Sequence, residues 1–335
     1  MTQDSTKHDS TQHNSTRKHS NGETVLSGLL ALFSKLPLLW LQAFASMVAW
    51  VLIQHKKNGV YKTIHRNLLI AFPEWDEAYR QQVVALSLKA QLQALLEFVK
   101  CWAKPPQYSV SLIKQVTGEQ LLKDAISQQK GLILIVPHFG TWEIMNAWVN
   151  QFTDIVVMYK PDDNPALNQF VLQARSRLRA TLVPADESGV RQLFKALKRG
   201  GVTAILPDHT PETSGGIYSD FFDCPVLTGT LVSRLAQKTQ CEVLQLSCQR
   251  MQDDPQYFQL DIETVDAAIR NDNLQTSVDA LNMAVEGLIR RAPQHYHWNY
   301  KRFKANPLLG NIYYEDAGKL TQRIQQARLE TMQDN

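Results

Sequence analysis

The residues best suited to chemistry are His138 and Glu143, which lie five positions apart in the segment His-Phe-Gly-Thr-Trp-Glu. A histidine can act as a general base, and a carboxylate can hold its ring in one tautomer and stabilise the imidazolium. Within one helix, residues five apart would point about 140° away from each other. A turn at Gly140 and Thr141 must therefore separate the two if they are to meet. A metal site would need a third ligand at a suitable spacing, and no neighbouring residue offers one.

A second polar segment, Pro207–Glu212, follows the apolar run Val202–Leu206. Its proline and aspartate residues, and the Gly215-Gly216 pair after them, are typical of a long shaped loop rather than a strand. Further along, Thr228 is placed to cap a helix that begins near Thr230. Long loops at strand ends often carry function, so this loop is either part of the site or a turn-rich connection.

Positive charge is concentrated in two regions of the chain. The first comprises Arg175, Arg177, Arg179, Arg191, Lys195, Lys198 and Arg199. Such charges commonly form a solvated helix face, but the planar guanidinium of arginine also suits a phosphate or an oxyanion. The second is the aromatic and basic block Gln294–Lys304, which could bind nucleic acid or face an anionic membrane. An apolar segment upstream favours the membrane.

Short apolar runs bounded by glycine and proline predict buried strands. We expect strands at Val110–Val116, Leu132–Val136, Ile155–Tyr159, Leu182–Pro184, Val202–Leu206, Glu242–Gln249 and Phe258–Ile262. We expect helices at 76–100, 119–128, 143–150, 164–179, 188–198, 229–238 and 275–291. This alternation predicts an α/β fold with a mixed, largely parallel sheet flanked by helices. His138 then follows the carboxyl end of a strand, where open α/β sheets place their sites.

The segment Leu36–Ile53 carries no formal charge over 18 residues, close to the ~20 residues that a spanning helix needs. Trp40 and Trp50 lie near its ends, as interfacial aromatic residues do. It is followed by His55, Lys56, Lys57, Lys62 and Arg66. We expect a membrane helix, spanning or monotopic, with the C-terminal part of the chain in the cytoplasm. A buried core helix is the alternative.

Composition limits the partners, the cellular compartment and the ordered part of the chain that we expect. A net charge of +3 predicts no nucleic-acid partner. The cysteines show no Cys-x-x-Cys pairing, so they fit reduced thiols in a cytoplasmic compartment better than disulfides or a zinc site. Residues 1–22 are polar and lack an apolar anchor, which predicts disorder.

Together these segments resemble the late acyltransferases of lipid A biosynthesis, which add secondary acyl chains to a lipid A precursor. The matching blocks are His138–Glu143, Tyr159-Lys160-Pro161 with Asn164 and Arg175, Pro207-Asp208-His209, Phe221-Phe222 through Thr228, and Trp298 with Lys301–Lys304. They occur in the family's order and cover roughly 26–307. The polar tail and the loop after Asp208 depart from the family's pattern, and the loop leaves the acyl chain length open.

The resemblance implies transfer of a fatty acyl group from an acyl carrier protein thioester. The acceptor would be the 3-hydroxyl of an acyl chain on a glucosamine disaccharide phospholipid. The implied catalytic residues are His138 as base, Glu143 as its orienting carboxylate, Arg175 for the oxyanion or the substrate, and the aspartate Asp208. We expect direct attack on the thioester without an acyl-enzyme, because no Ser or Cys stands in a Gly-x-Ser-x-Gly elbow. No cofactor or metal is expected.

The resemblance also implies further contacts and an architecture. Substrate-binding positions would be Tyr159, Lys160, Asn164, Thr228, Lys301 and Arg302. Candidates to dock the acidic carrier protein or lipid phosphates are Arg191, Lys195, Lys198 and Arg199. The fold would be like that of glycerol-phosphate acyltransferases, with an N-terminal membrane helix at the cytoplasmic face of a bacterial inner membrane. We expect a disordered tail over 1–22, an anchor helix over 25–57, a catalytic domain over 58–310 and a helical tail over 311–335.

Two other functions remain open on the sequence. The first is an acyltransferase that uses the same dyad on another membrane lipid acceptor. The second is a non-enzymatic membrane protein that binds lipid, in which His138 and Glu143 would have structural roles.

Overall fold

The computed structural model describes residues 26–56, 58–307, 309, 312–314 and 317–333, so the predicted tail over 1–22 lies outside the described residues. The strands are β1 (Ile113–Thr117), β2 (Leu132–Ile135), β3 (Ile155–Tyr159), β4 (Ala180–Pro184), β5 (Val202–Ile205), β6 (Gly216–Asp220), β7 (Pro225–Gly229), β8 (Glu242–Arg250) and β9 (Phe258–Thr264). Seven of them form one sheet in the order β1-β9-β8-β2-β5-β3-β4, and β6 pairs with β7 separately. Within the large sheet the β8–β9 pair is antiparallel and the others are parallel. The predicted mixed, largely parallel sheet is confirmed.

The helices cover both faces of this sheet. They are α1 (Leu26–Lys35), α2 (Leu38–Gln54), α3 (Gly59–Ala71), α4 (Glu77–Ala103), α5 (Pro106–Leu112), α6 (Glu119–Ser127), α7 (Glu143–Val149), α8 (Pro165–Arg175), α9 (Glu187–Lys198), α10 (Leu231–Thr239), α11 (Leu274–Arg291) and α12 (Ala317–Gln333). Alternate residues of β2 point into two apolar layers, because successive side chains of a strand face opposite sides. Leu132 and Leu134 pack with α5, α6 and α7, while Ile133 and Ile135 pack with α3, α9, α10 and α11.

The expected single anchor helix over 25–57 is instead two helices, α1 and α2, separated at Leu36-Pro37. Proline lacks a backbone donor and disfavours helical backbone at the residue before it, which explains the break. The buried Lys100 of α4 donates to the carbonyls of Ser34 and Leu36 at this break. Within the described residues no single helix is both long and apolar enough to cross a bilayer; α2 and α3 reach that length only together, and they are bent by 80°.

Two further local predictions were wrong. The segment 110–112 belongs to α5 rather than to a strand, because Pro106 opens a helix where its missing N–H is not needed. The long loop after β5 contains the hairpin β6–β7, which the sequence pattern did not reveal. The other predicted strands and helices lie within a few residues of their expected bounds.

Candidate active site

The site lies where two neighbouring strands end. β2 and β5 pair in parallel up to Ile135 and Ile205, so the segments that follow them emerge side by side. His138 follows β2 and Asp208 follows β5. The Nδ1 atom of His138 lies 2.9 Å from Oδ1 of Asp208, and the His138 backbone N–H donates to Oδ2 at 3.1 Å. The carboxylate thus accepts hydrogen bonds from both the ring and the backbone of the histidine.

The expected pairing of His138 with Glu143 is wrong in this geometry. Glu143 opens α7 and turns away, because the Gly140–Thr141 turn aims the first turn of α7 at α4 and α8. Its Oε1 forms an ion pair with Arg175 at 3.0 Å, and its Oε2 accepts from Trp102 and Asn146, each at 3.1 Å. Among the described residues, the side-chain partner of the His138 imidazole is therefore Asp208.

Charge and hydrogen bonding favour an ionised Asp208 in spite of its burial. Burial alone would raise the pKa of its carboxyl, but the charge of His138 and the hydrogen bonds from that residue hold the pKa well below its ordinary value. An ionised carboxylate only accepts hydrogen bonds, so Nδ1 of His138 carries the proton. The His138 side chain is 20% exposed while that of Asp208 is 2% exposed. Nε2 is consequently the ring nitrogen available to a substrate.

A stack of rings holds the imidazole from the side. His138 lies parallel to His209 at 4.0 Å, and His209 lies on Tyr300 at 3.9 Å. Desolvation of the covered His209 ring and the neighbouring His138 lower the pKa of His209 to about 4. His297 supports the backbone, donating from its N–H to the His138 carbonyl at 2.9 Å. His209, backed by Tyr300, and His297 thus hold His138 in one orientation.

The turn after His138 is fixed onto β8. Gly140 has φ +59°, and a Cβ atom there would overlap the carbonyl oxygen of Cys248. The N–H of Thr141 donates to that same carbonyl at 2.8 Å, and the N–H of Gly140 donates to His295 at 2.8 Å. Glycine is needed because the left-handed backbone and the close approach both exclude a side chain.

A buried ion pair lies beneath the Gly140–Thr141 turn, and the sequence pattern does not predict it. Glu97 of α4 lies 2.7 Å from Arg250 of β8, and both side chains are almost fully enclosed. The same carboxylate accepts from the Thr141 hydroxyl at 2.6 Å and from Gln42 of α2 at 2.7 Å. Two features of the sequence could have indicated this pair. Glu97 is a carboxylate among the apolar residues of α4, and Arg250 ends the largely apolar strand β8. The network joins α2, α4, β8 and the Gly140–Thr141 turn.

A cavity of about 270 Å³ opens beside Trp142, whose ring meets His138 edge-on at 5.7 Å. Most of its wall is apolar: Val136, Ile155, Val157, Ala180, Ala204 and Leu206. Three predicted residues, Tyr159, Lys160 and Arg175, also line it. The Arg175 guanidinium lies 5.2 Å from the Tyr159 ring centre, so its ring contact and the Glu143 ion pair orient it together.

Other predicted substrate contacts have structural partners instead. Arg302 and Thr228 are buried, and the guanidinium donates to the Thr228 hydroxyl at 2.9 Å, so each has a partner within the fold. Thr228 lies in β7 and caps no helix. Asn164 caps α8, where its Oδ1 accepts from the backbone of two residues of that helix. Lys301 is half-buried, with its ammonium 4.9 Å from the Tyr314 ring centre.

The four predicted docking cations all lie exposed on or just after α9. The helix starts at the carboxyl ends of the strands and runs back about 18 Å over its 12 residues. Lys198 and Arg199 therefore lie at the opposite edge of the sheet from His138. Arg191 lies nearer the site and pairs with Glu187 at 3.5 Å. The four do not form one surface beside the site.

Comparison with known proteins identifies the family of the chain. Residues 13–305 match the family of bacterial lipid A biosynthesis acyltransferases. A lipid A biosynthesis lauroyltransferase of Escherichia coli (strain K12) is 25% identical over 289 residues, which are 81% of this chain and 94% of that protein. A lipid A biosynthesis acyltransferase of Haemophilus influenzae is 28% identical over 264 residues, 76% of this chain and 82% of the relative. A lipid A biosynthesis palmitoleoyltransferase of E. coli (strain K12) is 24% identical over 246 residues, which are 72% of this chain and 78% of that protein. The chain therefore belongs to the bacterial lipid A biosynthesis acyltransferase family, whose members are enzymes that transfer acyl groups.

Proposed function

We propose that this enzyme transfers a fatty acyl group from an acyl carrier protein thioester to the 3-hydroxyl of an acyl chain on a lipid A precursor. The observation that carries the proposal is the 2.9 Å His138–Asp208 pair beside an apolar cavity. A histidine with one nitrogen held by a carboxylate and the other left for a substrate suits general-base chemistry, and Trp142 connects His138 to the cavity wall. The apolar wall suits a fatty chain.

Neutral His138 accepts the proton of the acceptor hydroxyl at Nε2 while the oxygen attacks the thioester carbonyl. Asp208 stabilises the imidazolium that results. The C–O bond forms, the C–S bond breaks, and the imidazolium returns the proton to the leaving sulfur. This direct route has no acyl-enzyme intermediate.

Arg175 and Glu143 have a separate role in this mechanism. Glu143 fixes the guanidinium of Arg175 at the edge of the cavity. A guanidinium held there stabilises the charge that develops on the carbonyl oxygen, or binds a phosphate of the acceptor. Glu143 is then a positioning residue for Arg175 rather than the partner of His138.

The N-terminal helices support attachment to a membrane surface. One side of α2 is buried against the catalytic part, while the other exposes Leu39, Trp40, Phe44, Met47, Trp50 and Val51. Leu29 and Leu32 of α1 are exposed as well. An apolar face of this kind suits a helix lying in the membrane interface, followed by the cations Lys56, Lys62 and Arg66. We place the enzyme at the cytoplasmic face of the bacterial inner membrane, where a lipid acceptor is within reach.

The test incubates purified protein with a tetraacylated lipid A precursor and a panel of acyl carrier protein thioesters, and measures product mass. We expect a gain of one acyl chain, reduced about 10²–10⁴-fold by His138→Ala. His65→Ala is the matched control, because His65 also pairs with a carboxylate, Glu77 at 3.0 Å, but lies on α3 outside the site. A His138→Ala enzyme that retains a tenth of the wild-type rate would contradict the proposal. Product with a different lipid acceptor alone would identify another acyltransferase.

A further inference from the structure

The cavity beside Trp142 is apolar over most of its wall but ends on an amide. Asn150 directly follows α7 and is only 7% exposed. Neither its Oδ1 nor its Nδ2 has a hydrogen-bond partner among the described residues. Its backbone carbonyl, by contrast, accepts from the Arg179 guanidinium, which fixes the residue in place. A buried amide left without a partner is unfavourable, so this side chain is a polar interruption in an apolar lining.

Asn150 lies at the deep end of the cavity. The wall follows β3 from Tyr159, at the carboxyl edge beside the catalytic residues, to Ile155 at the amino edge. Arg179 contacts the Asn150 carbonyl, and its own carbonyl accepts from the N–H of Ile155, which places Asn150 at that amino edge. The path along β3 is about 13 Å, given about 3.3 Å per residue.

A second cavity, of about 370 Å³, lies behind this end. Among the described residues, the two cavities share only Asn150 and Leu178 in their linings. Gln151, the next residue along the chain, lines the second cavity alone. Asn150 and Leu178 thus lie between the two cavities, and we call this pair of side chains the end wall.

We propose that the end wall sets the maximum acyl chain length that the enzyme transfers, an inference that rests on the proposed acyl-transfer function. A chain longer than the cavity would have to bury methylenes against the unpaired amide and push past Leu178. An extended chain advances about 1.3 Å per carbon, given C–C bonds of about 1.5 Å, so about ten carbons fill the path. The site therefore favours donors of medium length, such as 12 carbons, over donors of 16.

The experiment is a competition between 12- and 16-carbon acyl carrier protein thioesters in one tube, read as the ratio of the two products. Wild-type enzyme should favour the 12-carbon product. Asn150→Ala should raise the 16-to-12 ratio at least tenfold, because pocket shape discriminates small apolar differences by about 10- to 200-fold. Leu178→Ala, which opens the same wall from its other side, should shift the ratio in the same direction. Gln151→Ala is the matched control and should leave the ratio unchanged.

A product ratio measured in one tube does not depend on the folded fraction of a variant. Wild-type preference for the 16-carbon donor, or an unchanged ratio in both wall variants, would overturn the inference while leaving acyl transfer intact. If no donor is used by any variant, the proposed function fails. In that case the end wall is tested by measuring the binding of laurate and palmitate by calorimetry. The affinity for palmitate relative to laurate should rise at least tenfold in Asn150→Ala. A smaller gain would overturn the inference as well.

Discussion

Asp208 and Glu143 are two buried carboxylates of the candidate site, and their partners give them different roles. Asp208 binds both the ring and the backbone of His138. Glu143 binds Arg175, Trp102 and Asn146. A carboxylate that orients the base affects proton transfer, whereas one that orients a guanidinium affects binding of the carbonyl or of a phosphate. The two roles predict different kinetic consequences.

Asp208→Asn and Glu143→Gln separate these roles. Asn in place of Asp208 can donate to Nδ1 and so favours the wrong tautomer, which should reduce kcat at least a hundredfold with little change in KM. Gln in place of Glu143 keeps an acceptor but loses the charge. It should reduce kcat/KM about ten- to hundredfold, given ~1.5–3 kcal/mol for a charged hydrogen bond. Steady-state kinetics on both variants, with melting temperatures as the folding control, make the comparison. A larger loss of kcat in Glu143→Gln would restore Glu143 as the partner of His138.

The identity of His138 as the base candidate was accessible from the sequence, but its partner was not. A histidine placed just after a short β-branched run indicates a site at a strand end. Asp208 lies 70 residues further along. It reaches His138 only because β5 inserts beside β2 while β3 and β4 lie farther out, an order that local patterns do not contain. Glu143 is nearer in sequence and fits the motif of the family, but α7 directs its carboxylate to Arg175.

At the level of elements, the Glu97–Arg250 pair joins α4 to β8 beneath the Gly140–Thr141 turn. Removing one member of a buried pair leaves an uncompensated charge, which costs about 3–5 kcal/mol. We expect Arg250→Met to lower the free energy of unfolding by that amount in a urea titration. Arg270→Met is the control, because the Arg270–Glu242 pair at 2.9 Å is roughly 30% exposed, and exposed pairs contribute about 0–1 kcal/mol. Equal losses in the two variants would show that the buried pair does not hold the elements together.

Elements formed by local signals were predictable, and those formed by distant contacts were not. Ile155–Tyr159 was predicted residue for residue because its apolar run is continuous and bounded by turns. The sequence pattern predicts a loop where the β6–β7 hairpin forms, because distant residues hold the hairpin. Arg302 of the C-terminal segment donates to the Leu227 carbonyl of β7 at 2.8 Å. Asn282 of α11 holds β6 through the Ser219 hydroxyl at 3.0 Å. Partners 60 to 80 residues away leave no trace in the hairpin's own sequence pattern.

For the whole molecule, two enclosed histidines make stability depend on pH. Burial, then the charge of His138, lowers the pKa of His297 to about 4, and burial with Arg250 does the same for His295. The unfolded chain takes up protons near pH 6.5 and the folded chain does not, so stability is complete above that pH and is lost as pH falls towards 4. Between pH 7 and 5 each histidine should cost roughly 1–2 kcal/mol of unfolding free energy. Urea titrations at pH 7 and pH 5 should show that His297→Gln loses less unfolding free energy than the wild type as the pH falls. An equal loss in the two proteins would contradict the role given to His297.

The proposed attachment to a membrane would place the exposed side of α2 against the lipid. Trp40 and Trp50 are 67% and 63% exposed, and burying a large apolar side chain contributes about 1.5–3 kcal/mol. The double variant Trp40→Ser/Trp50→Ser should therefore bind anionic phospholipid vesicles at least tenfold more weakly in a sedimentation assay. Met283→Ser is the control, because Met283 is 60% exposed but lies on α11. Equal weakening by the control would indicate general hydrophobic adhesion. Undiminished binding of the double variant would mean that α2 does not face the lipid, and that the acceptor reaches His138 by another side.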